Sequence, residues 1–162
     1  MAKAKYLCYN GDFQTYENCR LPFDNRSFRY GDALFESIHA CGTEAQFLEL
    51  HLNRLKHSMA VLKMVIPVFF STINLSQMIT KLLNKNRIFG GARIRLTVFR
   101  DASGLYTPAK NDVSFIIESQ PLEVDRYELN QRGYVIDIYT EMPKPLNSLS
   151  AVKSTSALFY VM

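Results

Sequence analysis

A lysine near the end of this sequence is the first residue whose type and position could serve chemistry. Lys153 follows a segment rich in proline and serine and precedes an apolar run. A single lysine in such a place is most often a solvated charge. A desolvated lysine, in contrast, is an amine nucleophile that can react with an aldehyde cofactor. The residues around Lys153 leave both interpretations open.

Three arginines set among apolar residues are the next candidates. Arg54 lies in the sequence HLNRL, on the polar side of a predicted helix. Arginine there is usually a surface charge, but its guanidinium can also bind phosphate oxygens in a bidentate manner. Arg93 and Arg95 alternate along one face of a predicted strand. That pattern is equally typical of a solvent-facing strand and of a strand that lines an anion site.

Other common kinds of active site have no motif here. The three histidines, His39, His51 and His57, lie in no HExxH motif or other pattern of metal ligands. The sequence contains no GxSxG nucleophile motif, and the glycine pair at 90–91 precedes a strand rather than follows one. We therefore predict no metal site and treat each histidine alone as structural.

Composition narrows the class of protein further. The 162 residues are 48% hydrophobic, enough for one domain or for a domain and the start of another. The formal charge of +4 comes from scattered basic residues, so we predict no nucleic-acid partner. No apolar run approaches the ~20 residues of a membrane span, and the N-terminus does not resemble a secretory signal. Three cysteines without CxxC spacing indicate reduced thiols and a cytoplasmic location.

The apolar periodicity predicts the elements that position these residues. Helical spacing predicts helices over 48–64 and 72–87, the second with an N-cap at Ser71 or Thr72. Alternation of apolar and polar residues predicts the longer strands, and Asn10–Gly11 predicts a tight turn after a short strand at Tyr6–Tyr9. The segment 22–32 is expected to be an ordered loop. The predicted longer strands cover 33–40, 92–100, 113–119 and 134–139.

These elements predict an α+β fold, with an antiparallel sheet flanked by two helices. The first domain is expected to span 1–141. Residues 142–150, which contain two prolines, read as an interdomain linker. Residues 151–162 then read as the start of a second domain, with an apolar run from Thr155 that could open a helix.

Four segments, in this order and spacing, resemble the class IV (fold-type IV) aminotransferases, which use pyridoxal 5'-phosphate. They are RSFRYGDALFESI at 26–38, ELHLNRLKHSMAVLKM at 49–64, ARIRLTVFRDASGLYTP at 92–108 and AVKSTSALFYVM at 151–162. The family includes branched-chain and D-amino-acid aminotransferases and aminodeoxychorismate lyase. The resemblance covers nearly the whole chain and implies the N-terminal domain of that fold, with the second domain truncated.

The resemblance implies a role for five residues. Lys153 matches the lysine that holds the cofactor and acts as general base, and Arg54 matches the arginine that binds the cofactor phosphate. Phe35 and His39 match positions that face the substrate, and Arg95 matches an arginine near the substrate carboxylate. We expect Arg54 to face the same concavity as Phe35 and Arg95.

The resemblance implies amino-group transfer between an amino acid and a 2-oxo acid, with branched-chain substrates as one candidate. The alternatives are 4-amino-4-deoxychorismate lyase, which forms 4-aminobenzoate and pyruvate, and a non-catalytic fragment or interaction module. Leu105, Tyr106 and Thr107 replace an arginine and a histidine of the D-amino-acid enzymes. We expect either a homodimer or a tail folded back along the sheet, with Lys153 largely exposed to solvent. We also expect the chain to be inactive alone, because the carboxylate that faces the pyridine nitrogen and the phosphate-binding loops are missing from these residues.

Overall fold

A six-stranded antiparallel sheet forms one layer of the protein, in a computed structural model that describes residues 4–141, 143 and 145–158. The strand order is β2-β1-β6-β5-β3-β4. The elements follow one another along the chain as β1 (Tyr6–Tyr9), β2 (Asp12–Thr15), α1 (Arg26–Tyr30), β3 (Ala33–Cys41), β4 (Glu44–Ala45), α2 (Leu48–Val61), α3 (Thr72–Asn86), β5 (Ala92–Arg100) and β6 (Val113–Pro121). The predicted α+β class with an antiparallel sheet is confirmed.

The two faces of the sheet have different environments and carry different residues, because successive side chains of a strand point to opposite sides. One face packs against α2 and α3 and forms a single apolar core. Leu34 and Ile38 of β3, Leu96 of β5 and Ile117 of β6 belong to this core face and are almost fully buried. The other face, which we call the open face, carries polar, charged and aromatic residues such as Phe35 and Arg95.

The two long helices lie where their apolar spacing predicts them. In α3, Leu75, Ile79, Leu82 and Leu83 are buried, and the Ser71 side chain caps the helix by accepting from the Asn74 N–H. Both helices end slightly earlier than expected. Helix α3 ends where Arg87 adopts a left-handed conformation (φ 55°), ahead of the glycine pair at 90–91.

The N-terminal hairpin confirms the predicted turn. Tyr9 pairs directly with Asp12, so Asn10 and Gly11 form a two-residue loop. Both residues have positive φ, 50° and 97°, as a type I′ turn requires. This hairpin continues the sheet because Cys8 and Tyr9 pair with β6.

Two predictions of local structure are wrong. The segment 22–32 is not all loop, because Asn25 caps the short helix α1 and Gly31 ends it in a left-handed conformation. Residues 134–139 are not a strand of this sheet; they are unpaired, and Val135 and Ile136 are almost fully exposed. Their β propensity is real in the sequence, but a strand forms only where a neighbouring strand offers hydrogen bonds.

A buried charge cluster holds the connection between β5 and β6. The carboxylate of Asp32 accepts from Nε of Arg26 at 2.8 Å and from Nε of Arg100 at 2.9 Å. Arg100 also donates to the Leu62 carbonyl and to Asn111, while Arg26 donates to carbonyl oxygens of the 104–106 turn. One carboxylate thereby ties α1, the end of α2 and the 101–111 connection together.

The segment after residue 149 returns to the sheet. Ser154 forms an isolated antiparallel bridge with Leu34, at the end of β3 that β4 does not cover. The apolar tail that we expect to fold back along the sheet follows this bridge, and its folding back stays a prediction. The rest of the expected apolar run, residues 159–162, lies outside the described residues, as do two positions of the expected linker, 142 and 144. No helix in the described ranges is long and apolar enough to cross a membrane.

Candidate functional site

Three of the five predicted site residues meet on the open face of the sheet. The guanidinium carbon of Arg95 lies 4.0 Å from the centre of the Phe35 ring, and the Nζ atom of Lys153 lies 4.9 Å from it. Phe35 and Arg95 come from neighbouring strands, in which Phe35 pairs with Thr97 and Ser37 pairs with Arg95. Lys153 arrives from a distant part of the chain. The three residues lie far apart in the sequence, and the tertiary structure brings them together.

The two cations at this ring have no acidic partner in the described part of the chain. Neither Arg95 nor Lys153 takes part in a salt bridge there. Glu118 pairs with Arg95 in the register of β5 and β6 without forming a salt bridge to it. Two neighbouring positive charges over an apolar ring favour an anionic ligand, because a carboxylate or phosphate would relieve their mutual repulsion.

The backbone fixes the position of Lys153. The Phe35 N–H donates to the Lys153 carbonyl at 3.1 Å, and the Thr155 N–H donates to the Ala33 carbonyl at 2.9 Å. Lys153 is partly buried rather than largely exposed as expected from its position near the chain end. The difference has a simple cause, because a strand-like segment on a sheet edge is ordered by backbone hydrogen bonds.

His39 lies on the open face but near its far end. Its ring is 4.7 Å, centre to centre, from the ring of Tyr127, a residue of the segment that follows β6. The Nδ1 atom of His39 is buried and makes no hydrogen bond in the described structure. A buried ring nitrogen without a partner is uncommon and can serve a ligand. Ser37 separates His39 from Phe35 along the strand, so His39 is not in the group around Lys153.

Arg54 binds a carboxylate of β3 that neighbours Phe35. Its Nε donates to Oε1 of Glu36 at 2.8 Å and its Nη2 donates to Oε2 at 2.5 Å. Glu36 follows Phe35 directly in β3 and therefore points to the opposite, helix-covered face. Arg54 thus binds the residue next to Phe35, and the concavity that we expect it to share with Phe35 and Arg95 stays a prediction. The spacing of apolar residues predicts on which face of α2 Arg54 lies, but it does not predict how that face is oriented relative to the sheet.

Glu36, His51 and Arg54 form a second polar cluster. Nδ1 of His51 lies 2.8 Å from Oε2 of the buried Glu36. Burial raises the pKa of Glu36, but the hydrogen bonds and charges of Arg54 and His51 outweigh burial and hold the pKa below its usual value. The hydrogen bond with Glu36 raises the pKa of Arg54 in turn. Half of the Arg54 side chain remains exposed, and its Nη1 makes no hydrogen bond in the described structure.

Sequence reasoning missed one polar pair on the sheet. Burial, followed by the negative charge of Glu118, raises the pKa of Tyr16 to about 12. Tyr16 directly follows β2, whereas Glu118 lies in β6, and β1 separates the two strands. No local spacing in the sequence could have connected them.

A cavity of about 380 Å³ lies where the 149–156 segment meets α1 and the 101–111 connection. The charged groups that line it, Arg26, Asp32 and Arg100, already bind one another and nearby carbonyls. The cavity is therefore a structural junction. Among the described residues, no three His, Cys, Asp or Glu side chains are grouped closely enough to hold a metal ion.

Comparison with solved structures shows what the chain resembles. The branched-chain aminotransferase of Escherichia coli matches with a TM-score of 0.71 and 21% identity, over 95% of this chain and 52% of that one. The branched-chain aminotransferase of T.th., solved with pyridoxamine 5'-phosphate, matches with a TM-score of 0.64 and 25% identity, over 76% and 42% of the two chains. An enzyme of Thermobaculum terrenum, solved in its PLP form, matches with a TM-score of 0.62 and 21% identity, over 74% and 40%.

The chain spans about half the length, or less, of these solved relatives. No curated protein sequence matches it. The sequence model of the class IV aminotransferases matches residues 33–162, which include β3, both long helices, the open face and Lys153. That family uses pyridoxal 5'-phosphate. The chain therefore belongs to the class IV aminotransferase family.

Proposed function

We propose that this chain carries the cofactor lysine and part of the substrate site of a pyridoxal-phosphate-dependent aminotransferase. The observation that supports this most strongly is the group on the open face, where Lys153 and Arg95 approach one aromatic ring at 4.9 and 4.0 Å. A primary amine beside a second, permanently charged cation suits a substrate that is both a carbonyl compound and a carboxylate.

Each residue of this group has a distinct role in the proposal. When bound, pyridoxal phosphate supplies an electron sink for the bonds around the substrate α-carbon. Lys153 would hold the cofactor and then take up and return the α-proton at Nζ. Arg95 would bind the substrate carboxylate, and Phe35 would exclude water and limit the position of the substrate side chain. His39, at the far end of the same face, would contact a longer substrate through its unpartnered Nδ1.

Arg54 fits the proposal less directly. Glu36 occupies two of its donor nitrogens and partly neutralises its charge, so only the exposed Nη1 side is available to a phosphate. We propose that Arg54 contributes this one donor to the cofactor phosphate from the helix side of β3. The chain's own residues thus fit the amine and carboxylate functions well and the phosphate function only in part.

The amino-acid class, the assembly and the location of the protein are finer proposals. The E. coli and T.th. relatives are branched-chain enzymes, which supports branched-chain amino acids and their 2-oxo acids as substrates. Phe23 and Phe28, each 80% exposed around α1, support association of two copies, because exposed aromatic surface favours burial at an interface. The three free cysteines support a cytoplasmic location.

The test is selective trapping of the cofactor. The chain is mixed with pyridoxal phosphate, reduced with borohydride and mapped by peptide mass spectrometry. We expect Lys153 to carry the pyridoxyl group in preference to the exposed lysines. Labelling that follows lysine exposure alone, with no preference for Lys153, would overturn the proposal and leave the non-catalytic module as the better description.

Competition identifies the substrate class in the same experiment. A branched-chain 2-oxo acid should slow the labelling of Lys153, and Arg95→Gln should weaken this protection without slowing the labelling itself. Arg93→Gln is the matched control, because Arg93 lies on the same strand face but is exposed and was assigned no role. Protection by aminodeoxychorismate with release of 4-aminobenzoate, and none by the 2-oxo acid, would favour the lyase instead.

A further inference from the structure

The edge of β3 near its start is covered by a part of the chain far away in sequence. Strand β4 pairs only with Ala40 and Cys41, which leaves the first half of this edge open. Residues 153–155 fill that half through the Leu34–Ser154 bridge and its two flanking backbone hydrogen bonds. The segment therefore acts as a very short extra strand on β3.

The register of this short strand decides where the amine of Lys153 points. Lys153 lies opposite Phe35, so both side chains leave the sheet on the open face. A slip of one residue would turn Lys153 towards the core face and bring Ser154 to the open face. Two backbone hydrogen bonds specify the register only weakly, because a short strand can pair with its neighbour in alternative registers.

Two further residues, Thr155 and Gly31, favour the observed register of the 153–155 segment. The Thr155 hydroxyl donates to the Gly31 carbonyl at 3.2 Å and lies 3.4 Å from the Ala33 carbonyl. Gly31 has φ 66°, and a Cβ placed on it would lie 3.0 Å from Cβ of Ser156 and 3.2 Å from its backbone nitrogen. The segment can pass this close to the α1–β3 turn only because Gly31 has no side chain.

We propose that Thr155 and Gly31 are positioning residues that fix residues 153–155 on the edge of β3, in the register that brings the amine of Lys153 to Phe35 and Arg95. This inference rests on the proposed function for the meaning of Lys153. It concerns only contacts within the chain, so it can be tested without the cofactor.

The first measurement follows the amine itself. Lysines are reductively methylated with ¹³C-formaldehyde, and the signal of Lys153 is assigned by its loss in Lys153→Arg. Because Nζ lies 4.9 Å from the Phe35 ring centre, we expect the dimethylamine signal to be shifted by the ring current of Phe35. Thr155→Val should reduce this shift towards the value of exposed lysines, and Thr155→Ser, which keeps the hydroxyl, should restore it.

The second measurement follows the register through hydrogen exchange. The amides of Phe35 and Thr155 donate the two bridging hydrogen bonds, so Thr155→Val should make both exchange about two- to tenfold faster, the effect of losing one hydrogen bond. Gly31→Ala should have the same effect through crowding. Thr140→Val is the matched control, because Thr140 is exposed and far from β3 in sequence, and it should change neither measurement.

The outcomes separate this inference from the proposed function. Loss of the shift and faster exchange in Thr155→Val, with rescue by Thr155→Ser, supports positioning whether or not the cofactor binds. An unchanged Lys153 signal in Thr155→Val overturns it, even if exchange becomes faster, because the segment would then not control the amine. If the positioning result holds but borohydride trapping shows no preference for Lys153, the proposed function alone fails.

Discussion

At the scale of single residues, Glu36 shows how a buried carboxylate can determine the behaviour of an exposed arginine. Its two oxygens engage Nε and Nη2 of Arg54, and His51 approaches one of the same oxygens. Glu36 is almost fully buried, so its charge is tolerated only because these donors surround it. The guanidinium is consequently held in one orientation, with its remaining donor directed away from the carboxylate.

This cluster leads to a prediction for acid stability. The folded state lowers the pKa of Glu36 below its usual 4.5, so its charged form stabilises the fold above that pH and the contribution is lost as the pH falls further. We expect Glu36→Gln to lower the free energy of unfolding at pH 7 by about 1–3 kcal/mol. The difference between the two proteins should shrink below pH 4.5, as measured by urea unfolding across pH. A constant difference from pH 7 to pH 3 would contradict this.

Tyr16 leads to a second prediction, in which the stability of the fold decreases as the pH rises. Its folded pKa of about 12 exceeds its usual value of 10, so folding favours the neutral phenol. The stabilisation is fully present below pH 10 and is lost as the pH rises towards 12. The difference in tyrosinate absorbance between the natural chain and Tyr16→Phe should show one transition near pH 12. A transition near pH 10 would mean that Glu118 and burial do not act on Tyr16.

At the scale of elements, the Asp32 cluster explains how a turn-rich connection becomes ordered. Nearly all donors of Arg26 and Arg100 point at Asp32, Asn111 or backbone carbonyls, and both arginines are buried. The cluster also adjoins Gly31, the residue that the 153–155 segment passes closely. A change at Asp32 should therefore affect both the 101–111 connection and the position of Lys153.

We expect Asp32→Ala to lower the free energy of unfolding by about 3–5 kcal/mol, because it leaves two buried guanidinium groups without their shared partner. Asp112→Ala is the control. Asp112 pairs with Lys110 at 3.6 Å on the surface, so its loss should cost less than about 0.5 kcal/mol. Equal effects of the two substitutions in urea unfolding would show that the buried cluster contributes no more than a surface pair.

At the scale of the whole molecule, the unpaired segment 134–139 is the clearest unsatisfied surface. Tyr134, Ile136 and Ile138 are each more than 80% exposed, and the segment is rich in residues that favour strands. An exposed, strand-forming and largely apolar segment without a neighbour readily pairs with another copy. We therefore expect this segment to favour self-association separately from the aromatic surface around α1.

We expect Ile136→Lys to reduce concentration-dependent association of the chain, measured by light scattering, and to change the free energy of unfolding by less than about 0.5 kcal/mol. Ile73→Lys is the matched control, because Ile73 of α3 is 71% exposed but lies on a helix. A similar decrease in association for both variants would indicate general surface hydrophobicity, not strand pairing.

The local elements and the family can be predicted from the amino-acid sequence. Helical spacing placed α2 and α3 to within a few residues, alternation placed β3, β5 and β6, and Asn10–Gly11 specified its turn. These signals are local, since they depend on caps, periods and turn residues within one element. The order of four motifs along the chain pointed to the class IV family, which the family model confirms.

Local spacing along the chain does not show which residues lie together in space. Lys153, Phe35 and Arg95 come together because strand register and an edge bridge join three distant segments, and Arg54 is held by Glu36, the residue next to Phe35. Residues 134–139 have strand propensity but form no strand, because no neighbouring strand pairs with them. A side chain's direction depends on the partner that its backbone pairs with, and that partner is not encoded in local spacing.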